Sequence, residues 1–220
     1  MKKIIFLITL YFINGIIFSQ IPQKNQELIK DWTRIYIKNV GNFDLPPSME
    51  VQKGKYKEFI DEQRKIKGFD ATQLTAQQKG LNKFQKKGFE KYARVILETT
   101  FGTKGDFEKL NFNIASYTQA DISELNLIYK QQIQQSFIGT GLKLIEWYPI
   151  KIKKINSMSC ILMSYKRQLQ NKPFVLVNIY QFHNNDRMHT LILSYRVSES
   201  TEWKPTFENI LKSYRITNIK

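Results

Sequence analysis

Two apolar runs, Phe174 to Phe182 (FVLVNIYQF) and His189 to Val197 (HTLILSYRV), flank the turn-rich tetrapeptide Asn184-Asn185-Asp186-Arg187. β-Branched and aromatic residues dominate both runs, and the residues between them suit a tight turn. The pair therefore predicts a β-hairpin. An isolated hairpin is marginal in water, so its apolar surface must be covered by other elements.

The neighbouring sequence supplies those elements. Upstream, Leu142 to Tyr148 reads as a strand halted by Pro149, Ile150 to Ile155 alternates isoleucine with lysine, and Met158 to Tyr165 is almost continuously apolar. Ala93 to Phe101 (ARVILETTF) is another strand, ending at Gly102. Trp32 to Lys38 alternates, with Thr33, Ile35 and Ile37 as its inner face. Gly41 and Asn42 predict a turn, Phe43 to Leu45 a short strand stopped by Pro46 and Pro47, and Met49 to Gln52 a return to extended chain. Two segments have helical spacing instead. Ile122, Leu125, Tyr129, Ile133 and Phe137 form one apolar stripe behind a Thr118/Asp121 capping box, with Gly139 and Gly141 closing it. Trp203, Phe207, Ile210, Leu211 and Tyr214 form a second stripe on a helix starting near Thr201, with Pro205 placed in its first turn. Periods of two and of 3.6 alternate along the chain with hairpins prominent. The expected class is α+β, a mainly antiparallel sheet with helices packed on it.

Residues 1–20 (MKKIIFLITLYFINGIIFSQ) have the layout of a secretory signal peptide: a basic start at Lys2 and Lys3, an apolar run to Phe18, and a cut expected near Ser19 or Gln20. This predicts an exported protein, periplasmic or extracellular. Residues 21–220 are expected to form a single domain, with no transmembrane span once the signal is removed. A Lys-rich insertion at about residues 53–91 reads as a long excursion from the sheet with one short helix around Phe59, Gln63 and Ile66. The stretch from Leu74 to Asn82 reads as strand or loop ending in a Gly turn. The net charge of +15 favours anionic partners, and Lys83, Lys86, Lys87 and Lys91 are the densest cluster that could contact one.

The order of elements resembles the PsbP-like α/β/α sandwich family. The string from Phe207 to Ile216 (F-x-x-I-L-x-S-Y-R-I) carries most of that resemblance, and Leu45-Pro46-Pro47-Ser48-Met49-Glu50-Val51 looks like the family's entry segment. The signal ending in Phe18-Ser19-Gln20 is similar to those of Bacteroidota-type exported proteins, and the Lys-rich insertion departs from the pattern. The resemblance implies the sandwich fold and no activity, because the fold has no shared catalytic residues to transfer.

Chemistry-bearing motifs are few. The lone Cys160 lies in an apolar strand and reads as a buried hydrophobe. His183 and His189 bracket the hairpin turn and read as polar residues at its exposed end, where they could face each other across the strands. A metal site needs more ligands than these two and Asp186 supply. Gly102-Thr103-Lys104-Gly105 lacks the remainder of a phosphate loop and reads as a turn. Glu98, Asp106, Glu108, Asp121 and Glu124 are the carboxylates that could pair in a hydrolase cleft, with Glu98 foremost because it lies on a strand. Trp147, Tyr148, Tyr165 and Tyr180 are interleaved with Lys151, Lys153, Lys154, Lys166 and Arg167. Such a pattern can bind single-stranded nucleic acid, but nucleic acid is not expected of an exported chain. The expected function is a non-catalytic binding or accessory protein of the cell envelope, without cofactor or metal. The alternatives are an envelope hydrolase working through a carboxylate, and electrostatic docking to an anionic surface.

Overall fold

The computed structural model describes residues 27–53, 71–81, 91–108, 118–217 and 219. Residues 1–20, the short helix expected near Phe59, and Lys83, Lys86 and Lys87 lie outside the described residues.

Ten strands and two helices make up the described fold. The strands are β1 (Thr33–Ile37), β2 (Gly41–Leu45), β3 (Met49–Val51), β4 (Ala71–Gln78), β5 (Ala93–Phe101), β6 (Leu142–Ile155), β7 (Met158–Leu169), β8 (Val175–His183), β9 (Arg187–Arg196) and β10 (Arg215–Ile216). The helices are α1 (Gln119–Ser136), between β5 and β6, and α2 (Ser200–Ser213), between β9 and β10. A seven-stranded sheet runs β3-β4-β5-β9-β8-β7-β6 and a three-stranded one β1-β2-β10. Every pairing is antiparallel. The α+β class read from the sequence is the class observed.

Alternation along the strands builds two cores. On β5, Ala93, Val95, Leu97 and Thr99 are buried, while Arg94, Ile96, Glu98 and Thr100 between them are half-buried. The first set joins Leu191, Leu193, Tyr195, Phe182 and Leu162 on one face of the large sheet. Trp203, Phe207 and Ile210 of α2, Phe43 of the small sheet and Val40 just before it cover that face. Trp203 and Ile210 are 0% exposed. On the opposite face, Ile150, Ile161, Met163, Tyr165, Val175, Val177 and Ile179 meet the α1 stripe Ile122, Leu125, Tyr129, Ile133 and Phe137. Neighbours such as Leu191 and Ile192 belong to different cores because a strand's side chains alternate.

Both helix stripes are observed. The capping box closes α1 as expected: the Asp121 N–H donates to Thr118 Oγ1 at 3.1 Å, and the Thr118 N–H donates to an Asp121 carboxylate oxygen at 2.7 Å. Asp121 is thereby held below the usual carboxylate range. In α2 the structure differs from expectation at Pro205. The helix starts at Ser200, so Pro205 lies beyond the first turn and cannot donate to the Thr201 carbonyl. Both residues are exposed, so the lost bond lies on the solvent side of the helix.

Three strand expectations are corrected. The turn expected at Gly41 and Asn42 lies one step earlier, at Lys38 to Val40, with Asn39 in a left-handed conformation (φ 61°). Gly41 is a strand residue that backs against β10, and a Cβ there would overlap the carbonyl oxygen of Arg215. The segments either side of Pro149 form one strand, β6, because β6 is an edge strand where a missing N–H costs no ladder bond. The register shift between Tyr148 and Lys151 absorbs the proline, and a second shift lies earlier at Leu144/Glu146. Finally, residues 71–78 are no excursion. They form β4, paired on both sides by β3 and β5, and Gly80 (φ 85°) turns the chain after it.

Gly41→Ala is expected to lower stability by about 1–3 kcal/mol, the range for steric overpacking. Urea unfolding of the variant beside wild type measures it, and an unchanged midpoint would contradict the close approach of β2 and β10.

Candidate binding surface

The two covering layers are offset. α2 and the small sheet share a core with β4, β5, β9 and one end of β7 and β8 (Met158, Cys160, Tyr180 and Phe182), and toward the other end of that same face β6, β7 and β8 bear a groove of about 250 Å³. Its lining is Tyr148, Pro149, Lys151, Leu162, Ser164, Leu176 and Asn178. Leu162 and Leu176 form an apolar floor. Ser164 and Asn178 oppose each other across β7 and β8, and the Ser164 hydroxyl donates to Asn178 Oδ1 at 2.7 Å. That bond leaves the Asn178 amide hydrogens as donors. At one end Lys166 holds Glu146 at 2.6 Å and stands 5.8 Å from the centre of the Tyr148 ring. The mutual contact raises the lysine pKa and lowers the carboxyl pKa, and both groups stay charged. Lys151 and Lys153 project from the exposed β6 edge on the same side. An apolar floor, a neutral hydrogen-bonding pair, one aromatic ring and a cationic rim suit a polar or anionic chain laid across the strands.

The other residues singled out by sequence are not drawn into one site. Cys160 is 0% exposed, and burial pushes its thiol up to about 12, so it stays protonated. The histidines are not at an exposed hairpin end. His189 is fully buried opposite Phe182, and His183 is opposite Met188, so they do not face each other. For His183 the reason is the bridge Phe107↔Asn185, which lays residues 102–107 against the end of the hairpin and brings the Phe107 ring edge-on to it, whereas His189 lies on the other face beside Thr99. The Gly102–Gly105 segment is a turn, as expected: Asp106 accepts from the Thr103 N–H at 2.6 Å, and Asn185 Oδ1 accepts from the Gly105 N–H at 3.0 Å.

The carboxylates are dispersed. Asp106 serves that turn, Asp121 caps α1, and Glu124 is exposed on α1. Glu98 is half-buried on the α1 side of the sheet, and its register neighbours are Gln73 and Thr190, neither of them an acid. The aromatics are divided as well. Trp147 stacks on Tyr165 toward α1 and donates its indole N–H to Asn126 at 2.9 Å, whereas Tyr148 lines the groove and Tyr180 is buried in the other core. They do not form a common stacking platform. Of the lysine cluster, only Lys91 is described. It is exposed, with Nζ 4.0 Å from Glu199. Among the described residues no group of three or more metal-ligating side chains converges, and no helix is long and apolar enough to cross a membrane.

No family model and no curated protein matches this sequence. Among solved structures the chain is similar to the cyanobacterial PsbP of Synechocystis, at 11% identity and a TM-score of 0.48, over 86% of this chain and 94% of that one. It is similar to a protein of Bacteroides thetaiotaomicron at 7% identity and a TM-score of 0.41, over 81% of this chain and 45% of the other. A protein of Pseudomonas aeruginosa aligns at 8% identity and a TM-score of 0.34, over 83% and 94% of the two chains. These likenesses carry no activity over to the chain.

His189 gives this region a pH signature. Burial, with Arg187 nearby, lowers its pKa from 6.5 to about 4, and its Nδ1 shares a 2.8 Å hydrogen bond with the Thr99 hydroxyl. The unfolded chain therefore binds the proton more readily than the folded one. Stability is expected to fall as pH drops from 6.5 through about 4, by up to about 3 kcal/mol from this residue. His183, also lowered by burial, adds in the same direction. Urea unfolding between pH 7 and 4 measures the slope, and His189→Gln is expected to flatten it. An equally steep slope in the variant would place the sensitivity elsewhere.

Proposed function

We propose that this chain is a non-catalytic, exported binding or accessory protein of the cell envelope, which holds a polar or anionic partner in the groove over β6, β7 and β8. One observation carries the reading. The Ser164–Asn178 pair and the Lys151/Tyr148 wall converge over the buried Leu162, which is an arrangement for contact and has no nucleophile paired with a base. The apolar floor supplies affinity, the Asn178 amide supplies direction, and the lysine rim favours negative charge. The apolar run at residues 4–18 behind Lys2 and Lys3 supports export.

The test is affinity capture from the organism's own envelope extract at low and at high salt, comparing wild type with Ser164→Arg, which fills the groove. A partner held by wild type at high salt and lost from Ser164→Arg is the expected result. An identical partner set for both proteins would remove the groove from the function. Partners that vanish at high salt, in both proteins alike, would move the contact to generic lysine electrostatics, including Lys83, Lys86, Lys87 and Lys91.

A further inference from the structure

On the opposite face of the large sheet, three guanidinium groups gather around one tyrosine. Arg167, Val175 and Arg196 form a single row across β7, β8 and β9, and Arg94 lies one pleat along on β5, opposite Ser194. Tyr92 lies just ahead of β5, and its carbonyl accepts from the Arg196 N–H at 2.9 Å. Its ring centre is 5.4 Å from the Arg94 guanidinium carbon, 5.6 Å from that of Arg196 and 6.0 Å from that of Arg167. The ring is held in place: Arg167 Nη2 donates to the Tyr92 hydroxyl oxygen at 3.1 Å, and the Ser194 hydroxyl is 3.4 Å from it. Arg196 is only 6% exposed and donates to the Pro173 carbonyl.

Among the described residues the cluster gathers more positive than negative charge. Glu199 is the carboxylate beside it, and that side chain also accepts from the Tyr92 N–H at 3.3 Å and lies 4.0 Å from Lys91. Three like charges held this close, partly out of water, repel one another, and one aromatic ring offsets only part of that repulsion. The buried Nε atoms of Arg94 and Arg167 also have no hydrogen-bond acceptor among the described residues. Arginine donors in that position fit an oxyanion. The guanidiniums come from three different strands rather than forming a single planar fork. That favours a tetrahedral dianion over a planar carboxylate. The inset position of Arg196 favours a small ligand over a flat membrane surface.

We propose that Tyr92, Arg94, Arg167 and Arg196 form an anion subsite that takes the phosphate group of a small soluble ligand. Arg94 and Arg167 donate to the phosphate oxygens, and Arg196 supplies charge from beneath Tyr92. The subsite is separate from the β6–β8 groove and stands or falls independently of it.

The probe is inorganic phosphate, titrated into the full 15N-labelled chain at constant ionic strength set with sodium chloride. The readout is the arginine Nε–Hε NMR signals. The expected result is a saturable shift of the Arg94 and Arg167 signals, with affinity weakened about tenfold in Arg167→Gln and in Arg94→Gln, the scale of losing one charge-assisted hydrogen bond. The double variant Lys38→Gln/Lys204→Gln removes exposed positive charge outside both surfaces and is expected to bind phosphate as wild type does. Absence of a saturable shift in wild type would overturn the proposal without recourse to any variant. So would an affinity unaltered by both arginine substitutions, or one equally weakened by the lysine control. An equal response to acetate would overturn the assignment to phosphate.

Discussion

A seven-stranded sheet that is apolar on both faces has to be covered twice, and the rest of this structure follows from how that is done. One face takes α2 together with the small sheet, where Trp203, Phe207 and Ile210 meet Leu97, Leu191 and Leu193. The other takes α1, whose stripe meets Ile161, Met163 and Ile179. The coverings are unequal. α2 contributes fully buried residues, whereas every residue of α1 keeps some exposure. Transfer of apolar area from water scales with the area removed, so the α2 face carries more of the stabilisation per helix residue.

The offset between the two layers is what leaves usable surface. Each covering layer leaves part of its face open, and that open part becomes a place where polar side chains can stand on a rigid strand framework. Ser164 and Asn178 are fixed by the ladder between β7 and β8, and Arg94, Arg167 and Arg196 by strands of the same sheet. Groups on such a framework lose little conformational freedom when they meet a ligand.

Much of the fold was legible in the sequence because it rests on local pattern. Ala93 to Phe101 alternates cleanly and is β5 to the residue. Thr118 and Asp121 announce the start of α1, and the Asn184-Asn185-Asp186 turn announces the β8–β9 hairpin. Illegible features depend on partners distant in sequence. Gly41 looks like a turn glycine until Arg215 is placed against it. Pro149 looks like a strand end until β6 is known to lie at an edge. His183 looks exposed until the segment before Glu108 folds over it, and His189 until its strand partners set it beside Thr99 on the covered face. The binding surfaces were illegible for the same reason. Ser164 and Asn178 are separated along the chain, and Tyr92 gathers arginines from three strands, so neither leaves a local motif. The alternation of Arg94 and Arg196 with apolar neighbours was the available signal, since it places charges on a strand face where solvent-facing lysines would be the cheaper choice.

β2 is the middle strand of the small sheet, and one of its neighbours is Arg215–Ile216, more than 170 residues away in the sequence. The Asp44 N–H donates to the Ser213 hydroxyl at 2.9 Å, binding the same two regions together. A contact spanning so much chain closes late, because the loop entropy is lost before the contact returns anything. Until Ile216 docks, β2 has a bare edge and Phe43 an incomplete cover. Assembly order is thereby imposed by connectivity. The β6–β9 part of the large sheet can form from neighbouring hairpins and then take up β5, but its α2-side core is sealed only when the segment after α2 returns to the start of the described fold, so that segment acts as a latch on the finished protein.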